Sequence, residues 1–423
     1  MPTYRARVLS PRSPEAVDYW EDGVVVVEGE LIAEVGPYDG LPVDEDLRPG
    51  LLTPGFVDAH VHYPQSRIVG AASGPLLEWL ARSVFPQEQR FADDGYAREV
   101  ADSFVEGLAR AGTTLAMIYG SVHASATQIL LEALEARGLR AIAGPVLMDV
   151  DSPEALIRPP ELALPELEAL AERWRGHPRL QVAVIPRFAL SCSVEMMEAA
   201  AELARARDLW VSTHISENAD EIALTCARFQ AQDYLEVYER HGLIHARTVL
   251  AHCIHFSPSE WERMAEAQAV VAHCPDSNAF LGSGSMPVGE VLARDIPLAI
   301  GSDVAAGRSL SIPHGLAHAY DNGLRTGTRL DPRRLLWWGT AGGAQALGHG
   351  PTGTGGGLGA VGRLAPGYAA DMALHPVPSY VEGEDGALGA LLFDADRPRP
   401  TRTWVAGREV YSAGAGAADG GAG

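Results

Sequence analysis

Apolar and polar positions alternate with two different periods along the middle of the chain. Short runs rich in β-branched and other apolar residues are typical of buried strands, and the intervening Ala- and Glu-rich segments, such as 155–175 and 194–207, have helical periodicity. The predicted strands cover residues 52–62, 113–119, 141–148, 180–188, 209–215, 248–252, 269–274 and 296–303. Eight strands alternating with helices over ~250 residues are the count of a (β/α)8 TIM barrel, an α/β fold. We therefore predict one barrel domain over residues 53–368.

The two ends of the chain carry a different pattern. Short strand-like runs occupy residues 4–9, 24–28 and 31–35 near the start, and residues 370–375 and 403–411 near the end. Each set is too small to be stable alone. We predict that residues 1–52 and 369–412 pair into one small composite β-sandwich domain. The Gly-rich segment 350–362 is predicted to be a loop, and residues 413–423 a disordered tail.

Composition narrows the classes of function. The net charge of −22 opposes binding to phosphate backbones, so we expect no nucleic-acid partner. No apolar run approaches the ~20 residues of a membrane span, and the first residues lack a secretory pattern. No C-x-x-C pair exists, which argues against a cysteine-ligated zinc. These features predict a cytoplasmic protein that acts on a small molecule and has no membrane partner.

Lysine is absent from the sequence, so all 33 basic residues are arginine. This absence excludes every mechanism that needs a lysine: a Schiff base, a phosphate-loop lysine, or a carbamylated lysine that bridges two metal ions. Any metal-dependent chemistry here must use other ligands.

His60 and His62 stand at the end of the first predicted barrel strand, separated by one residue. In a strand, residues i and i+2 point to the same face, so the two imidazoles converge. Neutral imidazole is a common zinc ligand, and catalytic groups in barrels lie at the carboxyl ends of strands. The pattern indicates a metal site at this end of the barrel.

Other predicted strand ends carry groups that suit such a site. They are Arg187 and Phe188 after the fourth strand, His214 and Glu217 at the fifth, and His252, His273 and Asp303 at the sixth, seventh and eighth strands, respectively. Each has a plainer interpretation: Asp303 can cap a helix, Glu217 can lie at a solvated helix start, and Arg187 can pair with any acid. Their occurrence at one end of the barrel favours a shared site, because three histidines and a carboxylate can hold one metal and leave room for water.

Several motifs in order resemble the amidohydrolase superfamily and, within it, the guanine deaminase family. The general ones are PGFVDAHVH at 54–62 and GSD at 301–303. The more specific ones are HYPQ at 62–65, LEWL at 77–80 with FP at 85–86, PRF at 186–188, THISEN at 213–218 and AHCPDSN at 272–278. The resemblance covers nearly the whole chain.

The resemblance implies a role for each matching residue. The implied zinc ligands are His60, His62, His214 and Asp303. Glu217 is implied as the proton shuttle, Asp303 as an acceptor of the water proton, and His252 as a group that polarises the reacting centre. Gln65, Arg187 and Phe188 are implied to hold a purine, with Leu77 and Trp79 lining the pocket. Without lysine to bridge two metals, one Zn²⁺ per chain is expected, and relatives suggest a homodimer.

The implied activity is hydrolytic deamination of guanine to xanthine and ammonia, in purine catabolism or salvage. Other deaminases or chlorohydrolases of the superfamily remain alternatives, with 8-oxoguanine, another aminopurine, cytosine or a triazine as substrate. A non-catalytic assembly protein is the remote alternative. The sequence departs from the family at its Gly-rich insertion and at Asp276, where relatives often carry an uncharged residue.

Overall fold

The computed structural model of the chain describes residues 1–71, 74–351, 353, 359–394 and 399–414. Residues 352 and 354–358 of the predicted loop at 350–362, and residues 415–423 of the predicted tail at 413–423, lie outside these residues. Within the described part, no helix is both long and apolar enough to cross a membrane.

Strands occupy the start, the middle and the end of the chain. In chain order they are β1 (Thr3–Ser13), β2 (Ala16–Glu28), β3 (Leu31–Pro37), β4 (Glu45–Pro54), β5 (Phe56–His62), β6 (Thr113–Tyr119), β7 (Arg140–Gly144), β8 (Val146–Leu147), β9 (Leu180–Pro186), β10 (Trp210–Ile215), β11 (Thr248–His252), β12 (Val270–His273), β13 (Leu298–Ile300), β14 (Met372–His375), β15 (Arg402–Val405) and β16 (Arg408–Ser412).

Helices separate the strands of the middle region. They are α1 (Leu76–Trp79), α2 (Phe85–Glu88), α3 (Asp94–Arg110), α4 (Ala124–Arg137), α5 (Pro160–Arg173), α6 (Val194–Arg207), α7 (Ala219–Phe229), α8 (Tyr234–Arg240), α9 (Pro258–Ala267), α10 (Pro275–Phe280), α11 (Val288–Ala293), α12 (Ile312–Arg325), α13 (Pro332–Trp338), α14 (Ala341–Ala346) and α15 (Gly383–Leu392).

The middle strands form the predicted barrel. They pair in parallel in the order β5-β6-β7-β9-β10-β11-β12-β13, with β8 added beside β9. β13 contacts β5, and the backbone N–H of Asp303 donates to the carbonyl oxygen of His60 at 2.8 Å across that seam. The (β/α)8 prediction is confirmed, and the carboxyl ends of its strands meet at one end of the barrel.

A second, mixed sheet is built from both ends of the chain. Its order is β16-β15-β14-β4-β1-β2-β3, so β14 from the end of the chain pairs with β4 from the start. Arg140 in β7 forms a fully buried ion pair with Asp371 (2.8 Å) at the junction with the barrel. Pairing of the two chain ends is confirmed, and the strands are joined in one continuous seven-stranded sheet. The exact division at residues 52/53 and 368/369 stays a prediction.

Two local predictions were wrong. Residues 52–62, predicted as one strand, are the end of β4 and all of β5, which belong to different sheets. The apolar pattern continues across the break at Gly55 because both strands are buried; a Cβ on Gly55 would lie 2.3 Å from the Thr114 side chain. The second error is α15, which lies between β14 and β15 where we expected only strands and turns.

Candidate metal centre and adjoining pocket

A β-bulge aims His60 and His62 at the carboxyl end of the barrel. Val57 and Ala59 lie in the apolar cluster inside the barrel, but the β5–β6 ladder is irregular between Asp58 and Val61. An extra residue in a ladder shifts the alternation of faces. The two histidines, both buried, then share one face, and their Nε2 atoms are 3.2 Å apart.

His214 and Asp303 meet the same point from other strands. Nε2 of His214, on β10, is 3.1 Å from Nε2 of His62. Oδ1 of Asp303, just after β13, is 3.4 Å from Nε2 of His60 and 3.5 Å from Nε2 of His62. The four residues expected to hold a metal are therefore brought together.

The protonation of these groups fits a cation. Burial lowers the pKa of His60, His62 and His214, so their imidazoles are neutral at neutral pH. Burial would raise the pKa of Asp303, but its contacts with His60 and the nearby His252 lower it overall, so the carboxylate stays ionised.

The tautomer of the His214 imidazole follows from the hydrogen-bond partner of its Nδ1 atom. Nδ1 of His214 lies 2.6 Å from the carbonyl oxygen of Arg187, which can only accept, so Nδ1 carries the proton and Nε2 presents a lone pair. Three neutral imidazoles and an anionic carboxylate that converge on one point offer nitrogen and oxygen donors to a Lewis acid. The residues therefore fit a metal ion, and nitrogen with carboxylate oxygen is a donor set that suits zinc.

His252 and Glu217 lie beside this cluster. Nδ1 of His252 is 2.8 Å from Oδ1 of Asn278, while its Nε2 is 3.5 Å from Oε2 of Glu217 and 3.9 Å from Oδ2 of Asp303. His252 adopts a φ of 78° at the end of β11, a left-handed conformation that a non-glycine residue rarely takes. Burial raises the pKa of Glu217 to about 7, with Asp303 adding to the effect and His252 opposing it. A carboxyl with that pKa can both give and take a proton near neutral pH.

A small, partly open cavity adjoins the cluster. The residues that line it are His62, Gln65, Leu76, Trp79, Leu80, Arg187, Phe188, His214, Glu217, Glu221, His252, Leu281, Asp303 and Ala306.

One predicted pocket residue is misplaced. Leu77 does not belong to the cavity wall and packs against the main apolar core instead. Leu76, Trp79 and Leu80 form the wall, because residues three and four apart share one face of a helix. The motif was correct, but the prediction was one position out of register.

Glu88 is a buried residue of this region that sequence reasoning missed. Its Oε1 accepts from Nε2 of Gln65 at 3.0 Å, and its Oε2 accepts from Nη1 of Arg187 at 2.6 Å. The only signal in the sequence is its position shortly after the LEWL and FP motifs, and nothing in that spacing reveals its partners.

Asp58, also missed by sequence reasoning, connects the segments that carry His60 and Asp303. Its Oδ1 accepts from the backbone N–H groups of His60 (3.2 Å) and Ser302 (2.9 Å), and its Oδ2 accepts from the Ser302 hydroxyl. One carboxylate thus joins β5 to the loop that carries Asp303. Its place two residues before His60 was the available signal.

Asp276 and His273 lie outside the converging set. Asp276 accepts from the backbone N–H and the guanidinium of Arg308, and its oxygens lie 3.4 Å from Nε2 of His314 and of His318. The charge of Asp276 is thereby compensated by the Arg308 guanidinium. His273 is fully buried, and neither ring nitrogen has a hydrogen-bond partner among the described residues.

Comparisons with known proteins agree with this geometry. The model of the amidohydrolase family matches residues 51–410. A probable guanine deaminase of Deinococcus radiodurans is 38% identical over 447 residues, covering 97% of this chain and 99% of that protein. The structure of E. coli guanine deaminase superposes with a TM-score of 0.91 at 33% identity, covering 97% of this chain and 100% of that one. Guanine deaminase from C. acetobutylicum, with guanine in its active site, gives a TM-score of 0.89 at 27% identity over 97% and 100% of the two chains.

Proposed function

This chain belongs to the amidohydrolase family, and we propose that it is a zinc-dependent guanine deaminase that converts guanine and water to xanthine and ammonia. The observation that carries the proposal is one cavity in which His62, His214 and Asp303, with His60 directly beside them, adjoin Gln65 and Arg187. The first group suits a metal ion, and the second suits the polar edge of a purine.

We assign one zinc ion to this chain, held by those three histidines and Asp303. Zinc supplies the Lewis acidity that makes water a competent nucleophile near neutral pH. A second, bridged ion is disfavoured because the chain has no lysine to carbamylate.

Gln65, Arg187 and Phe188 are assigned to the purine. Arg187 and Gln65 offer polar groups to O6 and the adjacent ring nitrogen, and the Phe188 ring packs against the base. Trp79, with the neighbouring Leu76 and Leu80, provides the apolar wall. Burial of a flat base among these groups excludes bulk water from the pocket.

We assign the proton transfers to two carboxylates, those of Asp303 and Glu217. Asp303 takes a proton from the attacking water while Glu217 gives its proton to ring N3, which makes C2 electrophilic. The C2–O bond forms, and Glu217 takes the remaining proton from the new C2 hydroxyl and passes it to the exocyclic amine. The C2–N bond then breaks to release ammonia and leave C2=O, and the proton held by Asp303 returns to Glu217. His252, 3.5 Å from Glu217, stands where it can polarise the reacting centre. General acid–base work of this kind contributes ~10²–10⁴-fold.

The alternatives lead to different products. Deamination of 8-oxoguanine, another aminopurine or cytosine, or dechlorination of a triazine, would use the same candidate metal ligands. A different set of polar residues would then contact the substrate. A non-catalytic assembly protein is disfavoured because all four expected ligands and Glu217 converge. A homodimer, a cytoplasmic location and a place in purine catabolism stay predictions.

The direct test is to incubate the purified protein with guanine and quantify xanthine and ammonia. We expect equal amounts of both, and loss of both after chelation with recovery on adding zinc. A panel of 8-oxoguanine, adenine, cytosine and a chlorotriazine measures selectivity. Turnover of another member of the panel in preference to guanine would replace the proposed substrate.

A further inference from the structure

The carboxylate of Glu88 accepts hydrogen bonds from both Gln65 and Arg187, the two residues assigned to the polar edge of the purine. It is 5% exposed, and its two oxygens accept from Gln65 (3.0 Å) and Arg187 (2.6 Å). Gln65 and Arg187 are themselves almost completely buried. A contact of this kind, shielded from water, restricts the orientation of both partners.

The Glu88 carboxylate fixes the orientation of the Gln65 amide. An ionised carboxylate only accepts hydrogen bonds, so the NH2 group of Gln65 must face Glu88, and Oε1 must face away. Oε1 is buried and has no hydrogen-bond partner among the described residues, although Gln65 lines the cavity. A buried acceptor without a partner is costly, and a donor on a bound ligand relieves that cost.

The same carboxylate fixes the guanidinium of Arg187. Both of its hydrogen bonds in the described structure use Nη1, to Glu88 and to Sδ of Met148 (3.9 Å). The Phe85 ring lies beside the guanidinium, with Cζ 5.4 Å from the ring centroid. Donors on Nε and Nη2 remain for a ligand acceptor.

We propose that Glu88 is a positioning residue that makes the pocket selective for a lactam edge, and this rests on the proposed action on a purine. An acceptor at Gln65 beside donors at Arg187 complements N1–H next to C6=O, as in guanine. The amidine edge of a 6-aminopurine presents the reverse order, a ring acceptor next to an amino donor. Rotating the Gln65 amide would give the ring nitrogen of that edge a donor, although the donors of Arg187 would still oppose its amino group. The rotation would also turn Oε1 toward the Glu88 carboxylate, and the two oxygens repel each other.

Glu88→Gln is the informative change because it keeps the shape of the side chain and adds an N–H donor. That donor can bind Oε1 of Gln65, so the amide becomes free to face the pocket either way. We expect the preference of the protein for hypoxanthine over adenine, measured as the ratio of equilibrium dissociation constants, to fall at least tenfold. Neither base carries the 2-amino group that the proposed reaction removes.

Turnover offers a second measurement with a matched pair of substrates. Guanine and 2,6-diaminopurine share the 2-amino leaving group and differ only in the edge that Gln65 and Arg187 face. In Glu88→Gln, the ratio of kcat/KM for guanine to that for 2,6-diaminopurine should fall at least tenfold, mainly through KM for guanine. Bound zinc should stay at the wild-type value, which a general loss of structure would not allow.

Glu78→Gln is the matched control. Glu78 lies in the same helical segment, is exposed, and pairs with Arg82 at 2.7 Å. This variant should keep the wild-type preference. If Glu88→Gln does not fold, Glu88→Asp replaces it: the shorter side chain cannot reach both partners, and the preference should fall at least threefold.

These measurements distinguish failure of the proposed guanine deaminase activity from failure of the proposed role of Glu88. If the wild-type protein does not convert guanine but prefers hypoxanthine until Glu88 is changed, the catalytic proposal is wrong and the role of Glu88 stands. If guanine is converted and the folded Glu88 variant keeps both wild-type ratios, the role of Glu88 is refuted.

Discussion

The carbonyl oxygen of Arg187 lies 2.6 Å from Nδ1 of His214 and so joins the proposed purine pocket to the metal cluster. Through its backbone, Arg187 sets the tautomer of a metal-facing imidazole. Through its side chain, it pairs with the buried carboxylate of Glu88. The two functions of this residue can be separated by mutation, because only the second needs the side chain.

Arg187→Ala should abolish most guanine turnover while the protein keeps its zinc. The backbone carbonyl that orients His214 remains, but the donors for the substrate are lost. We expect kcat/KM for guanine to fall by a factor of about 100 or more. Steady-state kinetics and metal analysis of the same preparation measure both quantities, and near-normal turnover would remove Arg187 from the pocket's function.

The same variant leaves the Glu88 carboxylate buried without its cation. Breaking a buried ion pair costs about 3–5 kcal/mol, so the free energy of unfolding should drop. The double variant Arg187→Ala/Glu88→Gln removes the unpaired charge and should recover much of that stability without recovering turnover. Urea unfolding of both variants separates the two effects.

Glu217→Gln should retain the metal and lose turnover by ~10²–10⁴-fold. An amide of the same shape can neither give a proton to N3 nor carry one to the leaving amine. Glu262→Gln, at an exposed position, is the matched control and should behave as wild type. Wild-type rates in Glu217→Gln would rule out its role as proton shuttle.

Chelation should remove activity and lower the melting temperature together. The buried histidines that face one another are stabilised by a cation, and a ligand that binds only the folded state adds to its stability. Metal analysis of active protein should find one zinc per chain. Two tightly bound ions per chain would contradict the single-site prediction.

His349 should make the stability of the protein depend on pH below neutrality. Burial lowers its pKa to about 4, with the charge of Arg140 adding to the effect and Asp371 opposing it. Because the unfolded chain binds a proton at higher pH than the folded protein does, stability is fully present above pH ~6.5 and is lost as the pH falls toward 4. The contribution of this residue is about 3 kcal/mol at most.

His349→Gln removes that titration. The free energy of unfolding from urea titrations at several pH values between 4 and 6.5 should change less steeply in the variant than in the wild type. Equal slopes in the two proteins would show that His349 is not the group responsible.

Much of the site could be predicted because its residues stand at the ends of strands. The carboxyl ends of parallel strands meet in a barrel, so the strand pattern alone predicts that His60, His214 and His252 lie close together. Register within a helix is harder to predict: Leu76, rather than Leu77, lines the cavity, since the motif does not show which face of α1 turns inward.

Glu88 illustrates a limit of a different kind. Its partners, Gln65 and Arg187, are 23 and 99 positions away in the chain. Nothing in the sequence distinguishes it from exposed glutamates nearby, such as Glu78, because the same residue type serves both situations. Asp58 is similar, since its partner Ser302 lies 244 positions away.

The sequence alone predicted the barrel and excluded lysine chemistry, because hydrophobic period and residue type are local properties. Its resemblance to a known family implied the set of candidate metal ligands. Only the folded chain showed the bulge in β5 that aims His60 and His62, the seam that brings Asp303 to His60, and the carboxylate of Glu88 between Gln65 and Arg187. These features depend on distances between segments far apart in the chain, and those distances exist only after packing.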